Sequence, residues 1–242
     1  MPSGLLGLLP LHAAGNPGER GALDFVISSY TPTLRILARA NSRPQSSQRS
    51  QLVVALDHIP SLPDLHELPG TVREAKAIRP DDAIQLINED ATADSVKHAL
   101  GSTTWAHFAC HATLDVTSSS RSGLCLSDGV LPLTEIARLR LDEAELAYLS
   151  ACHTAAAGER HPDEALHLAS AFQMAGFHHV IASFWPLVDR VAAAAAVDFY
   201  ATLGTCSDAR TAAQTLNGVS RTLRELHSDN PYLWSPLMHC GA

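Results

Sequence analysis

Short apolar runs alternate with amphipathic runs along most of this chain, and that alternation constrains the fold more than any other feature. Leu52–Leu56 reads as a buried strand and Thr71–Ile78 as a helix stopped before Pro80. Ala83–Ile87 reads as a second strand. Thr92 suits the N-cap of a helix over Ala93–Leu100, with Gly101 at its stop. Thr104–Cys110 and Glu145–Ser150 are the next strands, followed by a helix over Glu164–Ala175 that Gly176 ends. Val180–Phe184 is a fifth strand, Asp189–Leu203 an Ala-rich helix before Gly204, and Asp208–Leu226 one more long helix. Strand and helix at this spacing predict parallel β-α-β units, hence an α/β fold with a mostly parallel central sheet flanked by helices.

Two stretches interrupt the pattern. Asn41–Ser50 is polar without apolar periodicity and reads as a solvated loop or flexible insertion. Gly123–Leu133 holds Ser127-Asp128-Gly129 between apolar pairs, which predicts a β-hairpin. No internal repeat is visible, so stacked helical arrays are not expected. The 242 residues are expected to form one domain.

Composition narrows the function. Seventeen Lys+Arg against 25 Asp+Glu leave a net charge of −8, which argues against direct nucleic-acid binding. No run reaches the roughly 18 apolar residues that a membrane span requires, and no basic stretch precedes an N-terminal apolar run. The five cysteines, Cys110, Cys125, Cys152, Cys206 and Cys240, are odd in number and scattered. They read as free thiols in a reducing, cytoplasmic compartment.

In an open parallel sheet, reactive groups gather beyond the carboxyl ends of the strands. The strand Thr104–Cys110 runs out into His111-Ala112-Thr113, and Glu145–Ser150 runs out into Ala151-Cys152-His153-Thr154. If the two strands are neighbours, His111 and Cys152 sit on adjacent loops at one sheet edge. A free cysteine has a pKa near ~8.5 and needs a base nearby. An imidazole takes the thiol proton and later protonates a leaving amine. Residues just after a strand, such as Ala112 and Cys152, can present the backbone N–H donors that an oxyanion needs. A zinc site from His107, Cys110, His111 and Cys152 competes poorly, because His107 and His111 lie about 13 Å apart on a strand rising ~3.3 Å per residue. No metal or cofactor is expected. His153 reads as a loop residue, Cys110 as a buried strand end and Glu164 as a helix-start acid.

The surrounding residues carry a resemblance. Trp105-Ala106-His107-Phe108-Ala109-Cys110-His111 resembles the histidine motif of the CHAT family, a branch of the caspase–separase group of cysteine proteases. Ala147–Thr154 resembles its cysteine motif, and the similarity continues through Asp163–Gln173 and Ala175–Asp189. Pro231–Pro236 looks like the family's C-terminal strand, Leu9-Pro10-Leu11-His12 like its N-terminal strand, and Leu68-Pro69-Gly70 like a loop before a helix. The resemblance implies a caspase-like three-layer sandwich over nearly the whole chain. It also implies a cysteine endopeptidase with His111 as general base and Cys152 as nucleophile. Ala112 replaces the glycine that commonly follows the histidine, and Phe184 replaces a common leucine.

Asp189 has two readings. It is a natural helix N-cap. It also lies in a Trp-x-x-x-Asp setting similar to one thought in separases to bind arginine, which would make it the substrate-binding acid for cleavage after a basic residue. Family members often sit beside helical repeats and are switched on by partners. The resemblance therefore implies a protein or peptide substrate and an activating partner or fused regulatory repeats. The alternative is a catalytically weak or inactive scaffold or interaction domain that keeps the fold.

Overall fold

The computed structural model describes residues 9–16, 18–46, 48–62, 65–78, 80–113, 122–150, 152–153, 164–204 and 208–242, with backbone alone at 152–153 and 164–166. The main sheet is built from β1 (Gln51–Ala55), β2 (Ile84–Ile87), β3 (Trp105–Ala109), β7 (Leu146–Leu149), β9 (His179–Ser183) and β10 (Leu237–Gly241), in the order β10-β9-β7-β3-β1-β2. All neighbours pair in parallel except β10, which runs antiparallel to β9. β1, β3, β7 and β9 are buried along their whole length, as expected of strands covered on both faces.

Side-chain alternation sends each strand's residues to two helical layers. Leu52, Val54, Ala106 and Phe108 join a core with α4 (Ala93–Leu100), α5 (Leu133–Ile136) and α6 (Glu164–Ala175). On the other face Trp105, Leu146, Tyr148 and Ile181 pack on α7 (Asp189–Gly204) and α8 (Ala212–Leu226), and Val53, Ala55 and Ala109 on α3 (Thr71–Ile78). Helices, sheet, helices make the expected three-layer sandwich. Thr92 caps α4 by accepting the Ser95 N–H at 3.2 Å, and Gly176 (φ +142) ends α6.

A second, four-stranded sheet lies at the carboxyl edge. It runs β6 (Gly129–Pro132), β5 (Gly123–Leu126), β4 (His111–Thr113), β8 (Cys152–His153). The β5–β6 pair is the expected hairpin, with Leu126 opposite Gly129.

Three expectations are corrected. His111-Ala112-Thr113 and Cys152-His153 are short strands, not loops, because β3 and β7 step out of the main sheet and re-pair with each other. Leu9–His12 is not a strand: Leu11–Ala13 forms a 3₁₀ turn behind Pro10, and the segment that bridges β10 is at Tyr30. Pro231–Trp234 is a helical turn, α9, with Pro231 at its start, and the C-terminal strand begins only at Leu237. None of the described residues of Asn41–Ser50 is buried, and side-chain contacts tie the stretch to the rest of the chain. Asn41 and Ser42 close α2 (Leu34–Ser42), Arg43 donates to the Leu141 carbonyl at 2.7 Å, and Arg49 stacks its guanidinium 4.3 Å over the Trp105 ring.

Candidate active site

Four chain segments leave the main sheet at its carboxyl edge: the loop from β1 to α3, the β3–β4 step, the β7–β8 step and the loop from β9 to α7. They carry His66 and Gly70, His111, Cys152, and Asp189 respectively.

His111 and Cys152 are register partners across the parallel β4–β8 pair. Adjacent strands lie about 4.8 Å apart. The backbone therefore sets the histidine and the cysteine side by side, which their places at the ends of neighbouring strands predicted. Ala112 is register-paired with His153 on one side and Leu124 on the other.

His111 is only 1% exposed. Its Nε2 lies 2.7 Å from the His66 carbonyl oxygen. A carbonyl only accepts, so Nε2 carries the hydrogen and Nδ1 presents a lone pair. That Nδ1 is buried and has no hydrogen-bond partner among the described residues. Burial, opposed by the bond to His66 and assisted by the nearby His66 side chain, holds the imidazole below its ordinary value of 6.5. The His66 ring stands edge-on to the His111 ring, with centroids 4.9 Å apart. Burial thus favours the neutral imidazole of His111, with its tautomer set by a backbone group.

Sequence reasoning missed His66. Its contribution is a carbonyl, which any residue supplies. The available signal was topological: the loop around Leu68-Pro69-Gly70 follows β1 at the edge where His111 emerges.

Asp189 is the first residue of α7, so it does not cap that helix from the preceding position. Its Oδ2 accepts the Gly70 N–H at 2.9 Å. Gly70 directly precedes α3, so the carboxylate of one helix start sits at the N-terminus of another. A Cβ on Gly70 would fall on the Asp189 carboxylate, so any larger residue there has to displace that side chain. The β1–α3 loop thus orients His111 at one end and holds Asp189 at the other.

The remaining candidates settle into structural roles. His107 Nε2 lies 3.1 Å from Glu74 Oε1 in the core. Cys110, Cys125 and Cys240 are buried, and none of them is in a disulfide. Burial pushes Cys125 up to about 11 and Cys240 up to about 12, so neither is a nucleophile near neutral pH. Among the described residues, no group of three or more His, Cys, Asp or Glu could hold a metal ion, and no helix is long and apolar enough to cross a membrane.

A mostly parallel sheet with helices on both faces, carrying a histidine and a cysteine at its carboxyl edge, defines the caspase-like cysteine peptidase fold. Solved structures bear this out. The chain is similar to the Saccharomyces cerevisiae separase–securin complex, with 12% identity and TM-score 0.61 over 98% of this chain and 15% of that one. It is also similar to the complex of Porphyromonas gingivalis RgpB pro- and mature domains, at 12% identity and TM-score 0.52 over 82% and 49%. The Arg-specific cysteine proteinase gingipain R (RgpB) matches at 10% identity and TM-score 0.54 over 86% and 51%. The chain therefore spans about half or less of each of these structures. The chain belongs to the CHAT domain family, whose model matches residues 1–242. No curated protein matches it in sequence.

Proposed function

We propose that this chain is a cysteine endopeptidase acting on protein substrates, with Cys152 as nucleophile and His111 as general base. The observation that carries this reading is the β4–β8 register, which sets Cys152 beside a histidine whose Nδ1 lone pair has no other partner among the described residues. Nδ1 takes the thiol proton as sulfur attacks the scissile carbonyl carbon, forming the C–S bond and an oxyanion. The backbone N–H groups of Cys152 and Ala112 are the proposed oxyanion donors. Collapse breaks the C–N bond, and Nδ1–H returns its proton to the leaving amine. Water, activated by the same Nδ1, then hydrolyses the thioester. The His66 carbonyl holds the ring in place and accepts from the Nε2–H that stays on the imidazolium.

Asp189 is the proposed acid for a basic residue before the scissile bond. Oδ2 is already bonded to Gly70. A guanidinium would use the other oxygen and the second lone pair of Oδ2, an arrangement that favours arginine over lysine. One solved neighbour is itself described as Arg-specific.

A second reading has one observation in its favour. At 1% exposure His111 is covered, so a substrate backbone reaches it only after its surroundings move. A chain that opens on binding an activating partner is a regulated peptidase. One that never opens is an interaction domain that keeps the fold. Two of the solved neighbours are complexes with a pro-domain and with securin, in keeping with a protein partner.

The test is labelling with a peptidyl chloromethyl ketone ending in arginine, read by intact mass and peptide mapping. The expected result is one adduct, on Cys152, lost in Cys152→Ala and in His111→Ala. Equal labelling of all five cysteines, or turnover that survives Cys152→Ala, overturns the peptidase reading.

A further inference from the structure

Beneath the candidate active site lies a cluster of buried polar groups that the proposed chemistry does not use. Glu74 of α3, His107 of β3, Tyr148 of β7 and Tyr200 of α7 are each at most 5% exposed. His107 Nε2 and Glu74 Oε1 are 3.1 Å apart. The His107 ring stacks on Tyr148, with centroids 5.2 Å apart, and stands across Tyr200 at 5.6 Å. Glu74 Oε1, both His107 ring nitrogens and the two tyrosine hydroxyls make no hydrogen bond among the described residues. So many unpaired polar atoms together are unusual in a core, because each is costly to leave unpaired. Such rules are broken mainly where function requires it.

The cluster joins the elements that carry the candidate site. Glu74 N–H donates to the Gly70 carbonyl at 2.8 Å, so Glu74 lies one helical turn from the Gly70 N–H that holds Asp189. His66, whose carbonyl orients His111, is in the loop just before α3. His107 and Tyr148 are register partners across β3–β7, four residues before the register partners His111 and Cys152. Tyr200 is on α7, which Asp189 begins. Apolar packing fixes α3 on the sheet only loosely, since Ala75 meets the small side chains Val53, Ala55 and Ala109. Thr71 ties the first turn of α3 to the end of β1, with its hydroxyl 3.0 Å from the Leu56 carbonyl oxygen. Glu74 supplies a directional contact with β3, the strand that leads to His111.

We propose that Glu74, acting through His107, is a positioning residue for His111: it fixes α3 against β3 and so keeps the His66 carbonyl on the His111 Nε2–H. The proposal rests on the reading of His111 as general base. Apolar surfaces permit several alignments of a helix on a sheet, whereas a buried polar pair selects one. A slide of α3 along β3 carries the end of the His66 loop with it and leaves the imidazole free to turn. A misplacement of about 1 Å at a reacting group is enough to cost a hundredfold in rate.

The test uses the intact chain labelled with ¹⁵N-histidine. The ring N–H of His111 is buried and bonded to a carbonyl, so it gives a downfield, slowly exchanging proton signal, assigned by its loss in His111→Gln. Glu74→Ala is expected to move that signal upfield or abolish it, and to slow labelling of Cys152 by the arginyl chloromethyl ketone about tenfold. Glu74→Gln keeps an acceptor for His107 and is expected to keep the signal, with a labelling rate within about twofold. Glu74→Ala/His107→Leu removes both partners and should raise the unfolding midpoint above that of Glu74→Ala without restoring the signal, which lost stability alone would not produce. Val219→Ala truncates a buried side chain of α8 and should lower the midpoint while leaving the signal in place. An unchanged His111 signal in Glu74→Ala overturns the proposal, as does recovery of signal and rate along with stability in the double variant. Should the double variant not fold, Glu74→Ala and Glu74→Gln compared with Val219→Ala still decide, and equal signals in all three overturn it. Absence of Cys152 labelling in the unaltered chain overturns the peptidase reading instead, and the His111 signal alone then decides the positioning claim.

Discussion

Acid should unfold this protein before it protonates most of its carboxylates, and the cause is buried histidine. His12 is 6% exposed, bonds Tyr30 Oη through Nδ1 at 2.9 Å and stacks on Phe184. Burial lowers it from 6.5 to about 4. His179 is lowered to about 4 and His239 to about 3, also by burial, with His179 Nδ1 only 3.1 Å from His239 Nε2. A native base held neutral binds fewer protons than its unfolded form, so stability rises with pH between the two values and is lost as pH falls from 6.5 towards 4. At pH 5 the unfolded His12 is almost fully charged and the folded one almost neutral. One and a half pH units below 6.5 are worth roughly 2 kcal/mol at about 1.36 kcal/mol per unit. The His179–His239 pair acts in the same direction, because charging both sets two cations in contact within the β9–β10 ladder. Glu145, raised by burial, and the exposed His58, raised by Asp57, oppose it. Urea titrations followed by tryptophan fluorescence at pH 8 and pH 5 measure the sum. Loss of several kcal/mol at pH 5 is expected, against a typical total of about 5–15 kcal/mol. His12→Gln should shrink the pH difference by roughly 2 kcal/mol while lowering stability at pH 8. Equal stability at both pH values, or a pH difference that His12→Gln leaves intact, refutes the reasoning.

Two further substitutions probe the frame that holds the edge. Glu74→Ala leaves His107 Nε2 without its neighbour in a site where the two side chains are 1% and 0% exposed, and should cost about 1–3 kcal/mol by chemical denaturation; a cost under about 0.5 kcal/mol would mean that the pair contributes little. Gly70→Ala drives a methyl onto the Asp189 carboxylate and should cost roughly 1–3 kcal/mol. Adding Asp189→Ala should recover part of that cost, and strict additivity of the two changes would show that they do not touch.

What could be read in advance, and what could not, divides along a physical line. Strands and helices whose identity depends on their own side chains fell close to expectation. Val53–Ala55 and Trp105–Ala109 are buried on both faces, and Thr92 and Gly176 punctuate helices by local chemistry. The misjudged segments are those in which a distant group decides. Leu9–His12 has apolar content enough for a strand, but Pro10 lacks a donor, and His12 is instead fixed by Tyr30 and Phe184. Asp189 looks like a cap for its own helix and instead serves the start of another, across 119 residues.

The candidate site divides in the same way. His111 and Cys152 stand out as residue types at matching strand ends, and the β4–β8 register pairs them. The tautomer of His111 depends on the oxygen of His66, which no residue preference encodes. A substitution at His66 that preserves the loop would keep this hydrogen bond, whereas a change in loop length after β1 would remove it with every candidate catalytic side chain intact. Loss of a working site in relatives of this chain is therefore to be sought in the length of the β1–α3 loop as well as at the histidine and the cysteine.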